Sequence, residues 1–384
     1  MAVDETTLDQ LRVTVRRFVD ERLIPLEHQV AEDDVVPPRI IAEMRDLGLF
    51  GLSIPAAYGG LGLSMFEEVQ IAFEFGRTSP AFRSVIGTNN GIGSHGIIID
   101  GTDAQKQRYL PRLASGEIIG AFALTEPQSG SDAASIQTTA RREGDQYVIN
   151  GTKRYITNAP QASLFTVFAR TGPKETGTSG ISALLVDSKI PGITVGPPDR
   201  KMGQHGAHTA DVTFSDCRVS ADALISGEEG VGFKTAMKVL DRGRIHIGAV
   251  CVASAERLID DSLRYAMERR QFGRPIADFQ LIQAMLADSR TEAYAARCMV
   301  EETARRRDAG QSVVTEASCC KLFCAEMVGR VADRAVQIHG GAGYMAAYGI
   351  ERFYRDVRLF RIYEGTSEIQ QLVIARNMMR DAES

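Results

Sequence analysis

The chain has 384 residues, 44% of them hydrophobic, enough to bury a large core spread over two or three packed modules. Its net charge of -5 is distributed without long like-charge blocks, so the basic footprint of a nucleic-acid binder is missing and no nucleic-acid partner is expected. The longest apolar stretches, such as Ile245 to Ala253, run to about ten residues and are interrupted by His246, whereas a membrane span needs roughly 20, so none is expected.

The amino end, Met1 to Glu5, turns acidic at once and matches neither a secretory signal nor an Arg-rich transit peptide, which reads as a cytoplasmic protein. From Leu8 to about Gly116 the pattern is helical, with Leu11, Val15, Phe18 and Val19 recurring at spacings of three and four, punctuated by Pro37-Pro38 and Gly59-Gly60. From about Ile118 it changes to short apolar runs: Tyr147 to Ile149, Leu164 to Ala169, Ile181 to Val186 and Ala210 to Phe214. Gly, Pro, Asp and Asn separate them, as in a small domain of antiparallel strands. After the turn at Gly227 to Gly230 helical periodicity returns. Ile282, Leu286, Ser289, Ala293, Ala296 and Val300 form the stripe of a bundle helix. The fold class is α+β, with helical, β and helical modules at 1–117, 118–228 and 229–384.

Cys217, Cys251, Cys298, Cys319, Cys320 and Cys324 include no pair of CxxC motifs, so they read as reduced, mostly core residues, and no metal site is expected. Gly341 to Ala346 fits the GxGxxA dinucleotide fingerprint. However, Val331 to His339 before it has helical spacing, so the glycines read as a helix cap and not as a strand-to-helix turn. His339-Gly340-Gly341 resembles a hydrolase oxyanion loop, but no GxSxG elbow supplies a nucleophile. Thr125 to Asp132 offers small hydroxyls and loop N–H groups able to hold a planar heterocycle or a phosphate; an ordinary Ser/Gly turn is the other reading. Ser367 and Gln370 have capping-box spacing, which puts Glu364 and Gly365 in a loop just before a helix. A Glu there is either a solvated helix-end charge or, beside apolar Ile362 and Tyr363, a carboxylate turned inwards.

Together these segments resemble the acyl-CoA dehydrogenase family: TEPQSGSD at Thr125 to Asp132, NGTKRYITN at Asn150 to Asn158, RRQFG at Arg269 to Gly273, QIHGG at Gln337 to Gly341 and YEGTS at Tyr363 to Ser367, in the family's order across nearly the whole chain. The resemblance implies an amino-terminal helical domain, a middle β domain and a carboxyl-terminal four-helix bundle. It also implies FAD held by Phe122, Leu124, Thr125, Gly130, Ser131, Tyr155, Ile156 and Thr157, with Tyr155 where the family usually has Trp. Arg269, Gln271, Phe272, Gln280 and Gln337-Ile338-His339-Gly340-Gly341 correspond to parts that reach the FAD of a neighbouring subunit, which implies a homo-oligomer, most often a tetramer. Thr366, Ser367 and Glu368 also match cofactor contacts.

For the substrate, the resemblance assigns Ser131, Asp241, Arg244 and Gly365 to an acyl-CoA thioester and Glu364 to the α-proton base. Some members carry their base at the position of Gly243, and glycine cannot serve. The implied reaction passes a β-hydride to the flavin and electrons to an electron-transferring flavoprotein. Arg83-Ser84 resembles the glutaryl-CoA dehydrogenase branch, where the Arg pairs with a distal carboxylate; that branch has a Glu where this chain has Gly76. The other reading of Arg83 is a surface arginine or one tied to a protein carboxylate. The alternatives in function are an acyl-CoA oxidase, a desulfinase of the same fold, or an inactive flavin or acyl-CoA binding protein.

Overall fold

Asp4 accepts from the Thr7 N–H at 2.9 Å and starts α1 (Glu5–Phe18), in a computed structural model that describes residues 4–383. Val15, Phe18 and Val19 bury as their spacing predicts, and one π-type turn (Val19–Leu23) carries the chain on to α2 (Glu27–Asp33). Then come α3 (Pro38–Asp46), α4 (Met65–Phe75), α5 (Pro80–Asn90), α6 (His95–Asp100) and α7 (Asp103–Ala114). Helix α4 opens on a capping box, Ser64 with Glu67, and α7 on another, Thr102 with Gln105.

The β module comprises β1 (Gly120–Ala123), β2 (Thr139–Glu143), β3 (Gln146–Thr157), β4 (Leu164–Arg170), β5 (Ile181–Asp187), β6 (Ile193–Val195) and β7 (Thr209–Ser220). Most pairings are antiparallel as expected: β2 with β3, β3 with β7, β4 with β5 and β6 with β7. Strand β4 departs from this, running parallel to β1 and meeting β2 in parallel at Arg170 and Thr139. The physical reason is the long connection from β1 to β4, which includes the β2–β3 hairpin and returns the chain in the same direction. The Thr125 to Asp132 loop therefore leaves the end of β1 and is not confined to a tight turn.

The carboxyl-terminal helices are α8 (Gly232–Glu268), α9 (Gln280–Asp308), α10 (Val314–His339), α11 (Ile350–Val357) and α12 (Ser367–Glu383), with a short hairpin of β8 (Arg270–Gln271) and β9 (Arg274–Pro275) between α8 and α9. Their core gathers Ile247, Val250, Val300, Cys320, Cys324, Val328 and Phe353. On α9 the predicted stripe buries only from Ser289 onwards; Ile282 and Leu286 remain half-exposed, because this chain presents nothing to the first two turns. A further cluster joins Ile97, Leu110 and Leu113 of the amino-terminal helices to Leu124, Leu164 and Phe168 and to Ala236 on α8, so the three modules share one seam. Among the described residues no helix is long and apolar enough to cross a membrane. Cys217, Cys251, Cys320 and Cys324 are buried, Cys319 is half-buried and Cys298 is exposed; none is in a disulfide.

Candidate functional site

Where the modules meet lies a cavity of about 500 Å³. Its walls come from α5 (Arg83, Ser84, Thr88), the end of β1 and its loop (Phe122, Leu124, Thr125, Gly130, Ser131) and the end of β3 (Tyr155, Ile156, Thr157). Segment 201–209, the first turns of α8 with Gly243 and Arg244, and Glu364 and Gly365 ahead of α12 complete it. Arg83, Lys201, Arg242, Arg244 and Arg376 on this lining outnumber Glu68, Asp132 and Glu364, which favours a ligand carrying negative charge.

Two features shape the wall from the β module. Strand β3 slips register against β7 between Lys153 and Ile156, so Tyr155 takes φ 58° and its ring stands 62% exposed beside the cavity. The loop after β1 is clamped by a buried ion pair: Lys153 Nζ lies 2.8 Å from Glu126 Oε1 and also donates to the Leu124 carbonyl. Glu126 further accepts from the Gln137 and Thr138 N–H groups. Burial pushes the Lys153 ammonium down to about 8 against the pull of Glu126. Removing one partner of such a pair strands the other charge in the interior, so Lys153→Met is expected to cost about 3 to 5 kcal/mol of stability. Its midpoint in urea should fall accordingly, with the Thr125 to Asp132 loop the first segment to lose hydrogen-exchange protection.

Glu364 faces the cavity from the other side. It has φ 54°, a conformation that costs a residue other than glycine about 1 to 3 kcal/mol, and Gly365 follows at φ 94°. Its Oε2 is buried and has no hydrogen-bond partner among the described residues. A Cβ built on Gly243 would collide with that oxygen, so the absence of a side chain on α8 is what leaves the carboxylate its place. Gly243→Ala must move the carboxylate, and an ångström of misplacement at a reacting group costs about 10²-fold in rate; a loss of that size in any reaction that uses this carboxylate, with the fold kept, is the expected outcome, read by turnover and by circular dichroism. The helix after this loop starts one residue earlier than a Ser367 cap would have it. Thr366 is the cap, its hydroxyl accepting from the Ile369 N–H at 3.3 Å, while Ser367 is helical and donates to Glu326. Gln370 is released from a capping role and donates to the carbonyls of Glu364 (3.3 Å) and Gly365 (3.1 Å).

The far end of the cavity is polar. Arg83 Nε donates to His246 Nε2 at 3.2 Å, and His246 Nδ1 lies 2.9 Å from Glu68 Oε1, whose other oxygen takes a charged bond from Arg242. Burial alone would raise Glu68, but Arg242 and His246 hold it down, to about 2. Burial, and then the Arg83 charge, keep His246 below its ordinary value and hence neutral. Among the described residues no carboxylate pairs directly with Arg83, so the reading of that arginine as a partner of a protein carboxylate is corrected: the link to Glu68 runs through a neutral imidazole. A Cβ on Gly76 would sit 2.8 Å from the Ala253 Cβ, so α4 packs on α8 with no room for a longer side chain there. Glu68, two turns earlier on α4, supplies the carboxylate.

Sequence reasoning missed Glu68, Arg242, His246, Lys321 and Gln370. A signal was present, since His246 breaks an apolar helical run and Lys321 stands between Cys320 and Cys324 on a helix face that is otherwise apolar, and a polar residue in such a place demands a partner. Of the predicted residues, Asp241 does not line the cavity but pairs with Arg244 at 2.6 Å. Arg269, Gln271, Phe272, Gln280, Gln337, Gly340 and Gly341 lie outside it, exposed, with Phe272 92% accessible. Ile338 and His339 are buried; the His339 ring stacks on Tyr265 at 4.3 Å and joins the ends of α10 and α8. Thr366, Ser367 and Glu368 sit at the start of α12, with Glu368 exposed.

The same three modules are matched by the acyl-CoA dehydrogenase N-terminal domain over residues 5–117, the middle domain over 121–217 and the C-terminal domain over 230–379. The chain belongs to the acyl-CoA dehydrogenase family. As a member it is an oxidoreductase, and the family's cofactor is FAD. An acryloyl-CoA reductase (NADH) of Anaerotignum propionicum is 43% identical over 97% of this chain and 94% of its own length. A chain solved in work on the electron transferring flavoprotein of Acidaminococcus fermentans superposes with a TM-score of 0.94 at 36% identity, covering 99% of both. Glutaryl-coenzyme A dehydrogenase in complex with glutaryl-CoA superposes with a TM-score of 0.92 at 31% identity, over 99% of this chain and 96% of that one. The lining of this acyl-CoA dehydrogenase fits the family's cofactor: an exposed aromatic face at Tyr155, hydroxyls at Thr125 and Thr157, and cations for a diphosphate.

Proposed function

We propose that this enzyme removes an α-proton and a β-hydride from an acyl-CoA thioester to give the trans-2-enoyl-CoA, with Glu364 as the base. The observation that carries this reading is the Glu364 carboxylate, held in a strained turn with one oxygen buried and unpartnered at the cavity wall. A base so placed meets the α-carbon without first breaking a hydrogen bond to the protein. The proton goes to Glu364 Oε2, and the charge that develops on the thioester oxygen is met by the Glu364 N–H, which has no backbone acceptor among the described residues. FAD, when bound, supplies the hydride acceptor. Phe122, Leu124, Thr125, Gly130, Ser131, Tyr155, Ile156 and Thr157 are proposed to hold it, with Thr366, Ser367 and Glu368 nearby and Arg269, Gln271, Phe272, Gln280 and 337–341 reaching it from a neighbouring subunit. Arg244, oriented by Asp241, and Ser131 hold the CoA portion, and Gly365 gives the thioester its approach. Electrons leave to an electron-transferring flavoprotein, a reading supported by the Acidaminococcus neighbour.

The acyl chain is proposed to end in an acidic group. Arg83 lines the cavity and spends one N–H on His246, and among the described residues no other acceptor takes its remaining donors. Anaerobic titration with glutaryl-, butyryl-, isovaleryl- and octanoyl-CoA tests the function: bleaching of the flavin by at least one, with the acidic thioester first, is expected. A yellow, folded enzyme bleached by none of them, or one that consumes oxygen stoichiometrically with each turnover, sinks the dehydrogenase reading.

A further inference from the structure

The turn that carries Glu364 does not hold itself. Two consecutive residues take positive φ, and among the described residues no backbone N–H donates to the carbonyl of either. Both carbonyls precede the α12 ladder, whose first bond is Gln370 N–H to Thr366 O. What holds them is side chains: Gln370 Nε2 reaches both, and Lys321 Nζ reaches the Gly365 carbonyl at 2.5 Å. Lys321 lies on α10, is wholly inaccessible to solvent, and its ammonium makes no other hydrogen bond among the described residues. Its neighbours in charge are Glu364, Cys251, Arg244 and Glu326, and burial pushes its ammonium down to about 8.

A fully buried lysine is expensive to desolvate, and the same packing would be satisfied by methionine or leucine. The position where the amine ends therefore matters more than the stem. A single backbone carbonyl one residue after the carboxylate is a lever point: fixing it fixes the peptide between Glu364 and Gly365, and with it the direction of the Glu364 side chain.

We propose that Lys321 is a positioning residue for the base, pinning the Gly365 carbonyl so that the strained turn aims Glu364 at the substrate's α-carbon. The inference rests on the reading of Glu364 as base. Lys321 touches neither the substrate nor the reacting atoms; it acts through the turn, with Gln370 as the second pin. When the pin is lost, the turn is free to relax towards negative φ at Glu364 and the carboxylate swings off the cavity, while the walls that hold the CoA portion and the cofactor stay as they were.

The test is stopped-flow reduction of the FAD-loaded enzyme, comparing Lys321→Met, Gln370→Leu and Glu364→Gln, using the thioester that best bleaches the wild type and the same thioester deuterated at the α-carbon. Lys321→Met is expected to retain full FAD content and a dissociation constant for the thioester within about twofold of wild type. Its limiting rate should fall about 100-fold, with a larger α-deuterium isotope effect because proton removal has become slower relative to the rest. Gln370→Leu should shift both quantities in the same direction, and it carries the test if Lys321→Met does not fold. A limiting rate within threefold of wild type and an unchanged isotope effect in a folded variant overturn the proposal, even if the melting temperature drops, since that pattern is merely structural. A Glu364→Gln enzyme that still bleaches at the wild-type rate removes the base assignment itself, an outcome distinct from silent Lys321 and Gln370 variants beside an inactive Glu364→Gln.

Discussion

Glu364→Gln is expected to retain yellow colour, fold and thioester binding but to lose flavin reduction, with the limiting rate down by about 10²- to 10⁴-fold, the range that a positioned proton acceptor contributes. The substitution changes one oxygen for an amide nitrogen and keeps the volume, so the walls around it are not disturbed. It also places a donor where the wild type has an unpartnered buried acceptor, Oε2. Amide nitrogen has no basicity to offer, and the carboxylates of Glu68 and Asp132 on the same lining are committed elsewhere or lie towards the β1 loop: Glu68 is locked between Arg242 and His246, and Asp132 Oδ2 accepts from Ser135. Measurement by anaerobic stopped-flow at 450 nm, roughly the flavin band, separates this loss from weakened binding, because only the former leaves the half-saturating thioester concentration in place. Reduction at a near wild-type rate would move the base to another residue.

Arg83→Met is expected to invert substrate preference. Wild type should turn over glutaryl-CoA, or another thioester with a distal acid, with higher kcat/KM than butyryl- or octanoyl-CoA. The variant should reverse that order by losing about 2 to 5 kcal/mol on the acidic thioester alone, roughly 30- to 4,000-fold. Methionine matches the length of the arginine stem, so the apolar wall survives and neutral chains keep their contacts. The effect depends on the guanidinium being unspent, and its single bond goes to a neutral imidazole, which takes one donor and no charge. Equal effects on acidic and neutral thioesters would return Arg83 to a structural role and the enzyme to simple fatty or branched acyl chains.

Much of the architecture was legible in the sequence because the signals were periodic. The Leu11 to Val19 stripe and the Ser289 to Val300 stripe bury as their spacing requires, and the change to short apolar runs after Ile118 marks the β module. Strand direction was not legible: β1 is four residues long, and nothing within it says whether the partner 40 or so residues on runs with it or against it. The cavity-lining segments were found by motif, including Thr125, Ser131, Tyr155, Thr157 and Glu364. The polar chain from Arg83 through His246 to Glu68 was not, because its members are 15 and 163 or more residues apart and only α4, α5 and α8 packing together makes them neighbours. Lys321 was legible only as a lysine on an apolar helix face in need of a partner; that the partner is the loop 44 residues later follows from the fold alone.

The collision between a side chain at 243 and the carboxylate of Glu364 bears on how such a site changes over generations. Helix α8 and the loop before α12 face the same volume, and it admits one occupant. A lineage moving the base from the α12 loop to α8 meets that limit at its first step. The order of the two changes therefore matters: trimming Glu364 first leaves no base, whereas a carboxylate at 243 arrives as it displaces the old one. The two arrangements are thus mutually exclusive in this packing, and glycine at 243 is the condition under which the α12 loop can carry the base.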